Sequence, residues 1–210
     1  MDLPETLDRI TAAAREIVPG VDQASISIRH PDGRLQTVAP TDLVVVDADE
    51  VQHELKEGPC YDVVTGDVLT YSRDLAEDER WPNYGPKAAA LGLGSQLALR
   101  LLDGDGARSG LNLYAVRPGA FDEAQEAAAL FAAHARVAMA QAQGRQTLIA
   151  ALTSRDTVGK AIGITMERYR ITDEQALQML VRVSQTNNVK LRDIAADIVA
   201  EKIEDARHGS

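Results

Sequence analysis

The sequence is short of the features that mark several common protein classes. It holds one cysteine, Cys60, in 210 residues, so no intramolecular disulfide can form and a reducing compartment is expected. No run of about 18 apolar residues occurs, so no membrane-spanning helix is expected. The opening stretch, MDLPETLDRITAAAREIV, lacks the basic start and apolar core of a secretory signal and reads as an amphipathic helix. A cytoplasmic protein with no membrane partner is the expectation. Catalytic signatures are missing too. His30, His53, His134 and His208 show no metal-ligand spacing, and there is no HExxH, phosphate-cradling loop, GxSxG or GxGxxG. Asp103 and Asp105 sit in a Gly-rich loop without the later ligands of a calcium loop. Asp47, Asp49 and Glu50 read as a solvated face. Cys60, within Gly58-Pro59-Cys60-Tyr61-Asp62, reads as a buried structural thiol, a redox sensor or chromophore attachment point being the alternatives. Neither an enzyme nor a cofactor is expected.

What remains is ordinary for a globular chain: 45% hydrophobic and 26% charged residues, enough to build a core without staples. The net charge of −10 argues against nucleic acid only if it is evenly spread, and it is not. Residues 1–145 carry 13 basic against 23 acidic groups, while 146–210 carry 9 of each. Within the tail, 152–192 hold 7 basic and 4 acidic groups, a positive window. Such asymmetry suggests two domains with different partners.

Periodicity supports that division. A helix over about Pro4 to Val18 is followed by alternating Ala24 to Arg29, a half-buried strand. The turn Pro31-Asp32-Gly33 sends the chain back along Leu35 to Val38 as a hairpin. A helix over Leu43 to Leu55 stops at Gly58-Pro59; Val68 to Tyr71 is a short strand, and Trp81 to Leu91 leads into a helix. Ser95 to Leu102 and Gly110 to Val116 form a hairpin across Asp103-Gly104-Asp105-Gly106. Helices interleaved with antiparallel hairpins predict an α+β domain with a central antiparallel sheet and flanking helices. From Asp122 to about Tyr169 the chain is helical. Leu130, His134, Val137, Gln141, Leu148 and Leu152 fall at spacings of three, four or seven, compatible with pairing to a second copy. Packing of one face on the sheet, with the rest a linker, is the alternative. Thr172 to Gln175 has capping-box spacing ahead of a second helix, and a third follows from about Leu191.

Only the C-terminal window has residues that suggest chemistry. In Ser154 to Arg168, residues 155, 159, 162 and 166 share one helix face, and Lys160, Ile164 and Arg168 line another. Gly159 and Gly163 weaken a helix interior, which implies close approach by a packed helix or a ligand. Spacing alone leaves both open.

This tail resembles an ANTAR domain, the three-helix RNA-binding module of bacterial antitermination regulators, over about Leu152 to Val199. The resemblance rests on Ser154-Arg155, on Lys160 through Arg168, on Asp173-Glu174-Gln175-Ala176, and on Ser184 followed by Asn188 through Ala195. Thr165, where the family carries a leucine-like residue, and the polar Gln175 and Gln178 depart from it. More loosely, the N-terminal part resembles a GAF domain, a small-molecule sensor fold, through its element order, Gly58-Pro59-Cys60 and Arg80-Trp81-Pro82. The pairing is known in actinobacteria. The resemblance implies a GAF-like sensor over 1–140 and an ANTAR-like module over 141–210, bridged by the helix of about 122–169. It further implies binding of paired RNA stem-loops that blocks a terminator, and a sensor fold able to take a small-molecule ligand that the sequence does not name; the homodimer through the long helix is the expectation from the seam spacing. The RNA site it implies is Arg155, Lys160, Ala161, Gly163, Met166 and Arg168, with Ser184, Asn188, Lys190 and Arg192. A DNA-binding helix-turn-helix and a helical protein-interaction module remain the alternative readings of the tail.

Overall fold

The computed structural model describes residues 2–104 and 107–208; Asp105 and Gly106 of the expected hairpin loop lie outside the described residues. The chain forms two compact units, Met1–Gln143 and Gly144–Ser210.

In the first unit, α1 (Leu3–Ile17) starts at Asp2, whose carboxylate accepts the Glu5 N–H at 2.9 Å, an ordinary N-cap. It buries Leu7, Ile10 and Ala14 along one stripe. Strands β1 (Gln23–Arg29) and β2 (Leu35–Val38) form the expected hairpin, followed by α2 (Leu43–Leu55). Helix α3 (Pro59–Thr65) was not expected. Gly58-Pro59 ends α2 in the sequence, but a proline also suits the first turn of a new helix, where its missing N–H costs nothing. Then come β3 (Leu69–Ser72), α4 (Tyr84–Ala90), β4 (Ser95–Gly104) and β5 (Ala107–Ala115). The five strands make one antiparallel sheet in the order β2-β1-β5-β4-β3, so the α+β architecture holds.

The sheet is buried on both faces. Ala24, Ile26, Leu97, Leu99, Leu111 and Leu113 form one face of a core shared with α1 and the start of the long helix α5 (Gln125–Tyr169). The alternate residues Ser25, Ser27, Gln96, Asn112 and Tyr114 have no exposed surface either. They lie on the side of α2, α3 and α4, among which Val45, Ala48, Trp81, Tyr84 and Ala88 make a second core. The serines of β1 therefore do not face solvent as their alternation suggests. Asp49, expected on a solvated face, is completely buried.

Helix α5 begins three residues after the expected Asp122. Ala128, Ala132, Ala135 and Met139 turn inward at spacings of three and four, so sheet packing accounts for one face. Leu130 and Val137, on the other side, remain 63% and 57% exposed.

The second unit comprises the rest of α5, α6 (Asp173–Asn187) and α7 (Leu191–His208). The capping box is present: the Thr172 hydroxyl accepts the Gln175 N–H at 3.3 Å, and the Gln175 side chain accepts the Thr172 N–H at 3.0 Å. The core is small. Ala161, Leu180 and Ala195 are buried at its centre, with Val158, Ile162, Leu191 and Ile194 around them.

Candidate functional site

The basic residues of the second unit lie on its three helices and in the turns between them. Arg168 meets Glu201 at 3.4 Å and Glu167 meets Lys202 at 3.6 Å, while Ala161 and Ala195 share the core. Both ion pairs and the shared core bring this part of α5 against α7. Arg168 lies roughly 12 Å along the α5 axis from Lys160 at 1.5 Å per residue. Of the expected residues on α5, Arg168 is thus tied to α7.

Their individual environments differ. Arg155, Gly159, Lys160 and Gly163 are exposed and Met166 is half-buried. Lys160 pairs with Asp156 at 2.6 Å one turn away, both about three-fifths exposed. Arg192 meets Asp193 at 3.3 Å. Among the described residues, no carboxylate pairs with Arg155 or Lys190. Ser184 and Asn188 hold the turn between α6 and α7. The Ser184 hydroxyl donates to the Val189 carbonyl at 2.6 Å, and Asn188 takes a left-handed conformation, φ 52°, as the C-cap, a role that suits asparagine. Ala161 requires a correction. It has no exposed surface, so its small side chain admits a neighbouring helix rather than an RNA backbone. Thr165 is also buried, its hydroxyl donating to the Ala161 carbonyl at 2.8 Å, so this departure from the family pattern leaves no polar atom unsatisfied.

The glycines behave differently from Ala161. A Cβ placed on Gly159 or Gly163 would meet no atom within 4 Å. Helix packing within the described chain therefore does not explain them. Both lie on open surface beside Lys160 and Arg155, where a ligand backbone could come closer than any side chain would allow.

The first unit contains a polar layer that was not legible beforehand. Asp49 accepts hydrogen bonds from the hydroxyls of Ser25 (2.7 Å), Thr37 (3.0 Å) and Tyr114, and from the Asn112 amide (3.2 Å). Burial pushes its pKa up to about 6 despite these donors. The Gln52 side-chain oxygen accepts the Cys60 N–H at 2.9 Å, and Tyr84 donates to Gln96 at 2.7 Å. Cys60 is buried, and burial, with the Asp49 charge nearby, pushes its thiol far up. That fits a structural thiol and not a reactive one. Outside this layer, His53 is pulled down to about 4 by burial. Among the described residues, no group of three or more His, Cys, Asp or Glu could hold a metal ion, and no helix is long and apolar enough to cross a membrane.

A GAF-domain family model matches residues 1–140, and an ANTAR-domain model matches residues 146–199. These are sensor and regulatory domains, not catalytic ones. Among solved structures, the chain is similar to the photoproduct state of the third GAF domain of Slr1393 from Synechocystis, at 15% identity and a TM-score of 0.53, over 70% of this chain and 99% of that one. It is also similar to SdiA from Escherichia coli, at 16% identity and a TM-score of 0.51, over 95% of this chain and 90% of that one. At these identities the likeness shows the fold alone. No curated protein matches by sequence.

Proposed function

Since the chain belongs to the GAF family over residues 1–140 and carries an ANTAR domain over 146–199, we propose that it is a transcription antitermination regulator. Its C-terminal helices bind paired stem-loops in nascent RNA, so that the terminator does not form, and its N-terminal domain senses the signal. One observation carries this reading: an exposed helix surface with Arg155, Lys160 and two glycines that nothing in the described chain covers. Single-stranded loops splay out their bases, so a protein can read base edges while cations hold the phosphates. Lys160 and Arg155 are placed for the phosphates, Gly163 for close backbone approach and Met166 for an apolar contact. Lys190, just before α7, and Arg192 on it add further cations, and Asn188 offers an amide at the adjoining turn. Ser184 contributes by fixing that turn.

The open side of α5 supports a homodimer. Leu148 and Leu152, 60% and 57% exposed, continue the spacing of Leu130 and Val137, and a second copy would cover them as a helix seam.

The test is a competition gel shift with a tandem stem-loop RNA, a loop-mutated control and duplex DNA of equal length. Selective binding of the intact loops, weakened by Lys160→Ala, is expected. That variant should melt nearly as wild type, because an exposed i,i+4 pair contributes only about 0.3–0.5 kcal/mol. Preference for duplex DNA, or indifference to the loops, would overturn the reading.

A further inference from the structure

We propose that a cavity at the turn end of the β1–β2 hairpin binds the anionic group of a small molecule, a phosphate monoester or a carboxylate. The cavity is about 330 Å³ and is walled by Arg29, Gly33 and Leu35 from the hairpin, His53 and Lys56 from the end of α2, and Tyr61 from α3. That is within the usual size for small-ligand sites, roughly 300–1,000 Å³. Two cations face one opening, and no carboxylate lines it. Among the described residues, neither Arg29 nor Lys56 makes an ion pair. The surrounding sequence makes this notable, since acidic groups outnumber basic ones by 23 to 13 over residues 1–145, and loose cations would be expected to find partners.

The remaining lining suits the same ligand. His53 walls the cavity, and its Nε2 is buried with no hydrogen-bond partner among the described residues, so no neighbouring group competes with an anion for the ring's charge. Arg29 offers a planar fork matched to a carboxylate or phosphate, and Lys56 a compact point charge. Lys56 is held in a left-handed conformation, φ 56°, at the end of α2. Leu35 and the Tyr61 ring give the organic part of the ligand an apolar wall. The site shares no lining residue with the polar layer around Asp49. It uses nothing from the C-terminal helices, so its failure would leave the RNA reading untouched, and the reverse.

The test uses the full chain without RNA. Inorganic phosphate and acetate are titrated separately, each against chloride at equal ionic strength, with NMR of backbone amides and of the His53 ring. Saturable shifts around Arg29, His53 and Lys56 with phosphate, acetate or both are expected, and the stronger of the two identifies the anion. The bound anion should raise the pH at which the His53 ring takes up a proton. Arg29→Gln and Lys56→Gln should each weaken binding at least tenfold. Shifts equal to those from chloride, or unchanged affinity in both variants, would overturn the proposal. Should either variant fail to give a folded spectrum, the His53 titration in the unaltered protein decides.

Discussion

Replacing Gly163 with alanine adds one methyl group to the exposed face of α5. Nothing in the described chain comes within 4 Å of that position, so no packing is lost. The helix gains about 0.8–1 kcal/mol, the difference in propensity between glycine and alanine. For a small helical unit this raises the melting temperature by roughly 4–8 °C. In the RNA-bound state the same methyl occupies the space assigned to the loop backbone, and affinity should fall about tenfold, near 1.4 kcal/mol. Stability and binding then move in opposite directions, which general damage cannot mimic. Gly144→Ala is the matched control, since its Cβ also meets nothing within 4 Å and it lies outside the proposed RNA site. It should stabilise the helix and leave RNA affinity alone. Circular dichroism melts and gel-shift titrations on the three proteins decide the matter. A lower melting temperature for Gly163→Ala, or RNA affinity equal to wild type, refutes the reasoning.

Three further outcomes are expected. Thr172→Ala removes half of the capping box at α6 and should cost about 1 kcal/mol, read from chemical denaturation; a cost near zero would mean that α6 is held by its core contacts alone. Leu148→Gln with Leu152→Gln should convert a dimer to a monomer in sedimentation experiments at micromolar concentration, and a wild-type chain that is itself monomeric there removes the seam. The third outcome concerns pH. Asp49 has its pKa raised from 3.8 to about 6, so the stability it contributes is complete below about pH 4 and declines as pH rises through about 6. His53, lowered from 6.5 to about 4, works the other way: its stability is lost as pH falls from about 6.5 through 4. The two oppose each other, and Asp49→Asn should leave a steeper rise in stability between about pH 4 and 6 than wild type shows. Urea midpoints at three pH values measure that slope, and equal slopes would dismiss the assignment.

How far the sequence could be read depends on how local each feature is. The hairpins and the capping box were legible because each is set by a few adjacent residues with turn or cap chemistry. Helix α3 was missed because Gly58-Pro59 signals both an end and a beginning, and only the packing of Cys60, Val63 and Val64 decides for the latter. The polar layer was invisible for the opposite reason. Ser25, Asp49, Gln52, Gln96 and Asn112 come from β1, α2, β4 and β5, and each taken singly is a polar residue of the kind found on surfaces. Their sheet alternation is real, but polar meant a second interior instead of solvent. In the tail, the basic residues were identifiable by resemblance. Residue type could not distinguish Ala161, sealed under two helices, from Gly163, two residues on and fully open.

A sheet with two unlike interiors also constrains how the chain can go wrong. In β1 and β5, leucine, isoleucine and alanine alternate with serine, asparagine and tyrosine across paired positions such as Ile26 and Leu111 or Ser25 and Asn112. Sliding either strand by one residue would set hydroxyls and amides against α1 and aliphatic side chains against the Asp49 carboxylate. Both errors are costly at once, whereas a sheet with one wet face is penalised mainly on its dry side. Misregistered pairings should therefore be rare and short-lived during folding, and the two outer strands, four residues each, offer little edge for another chain to extend.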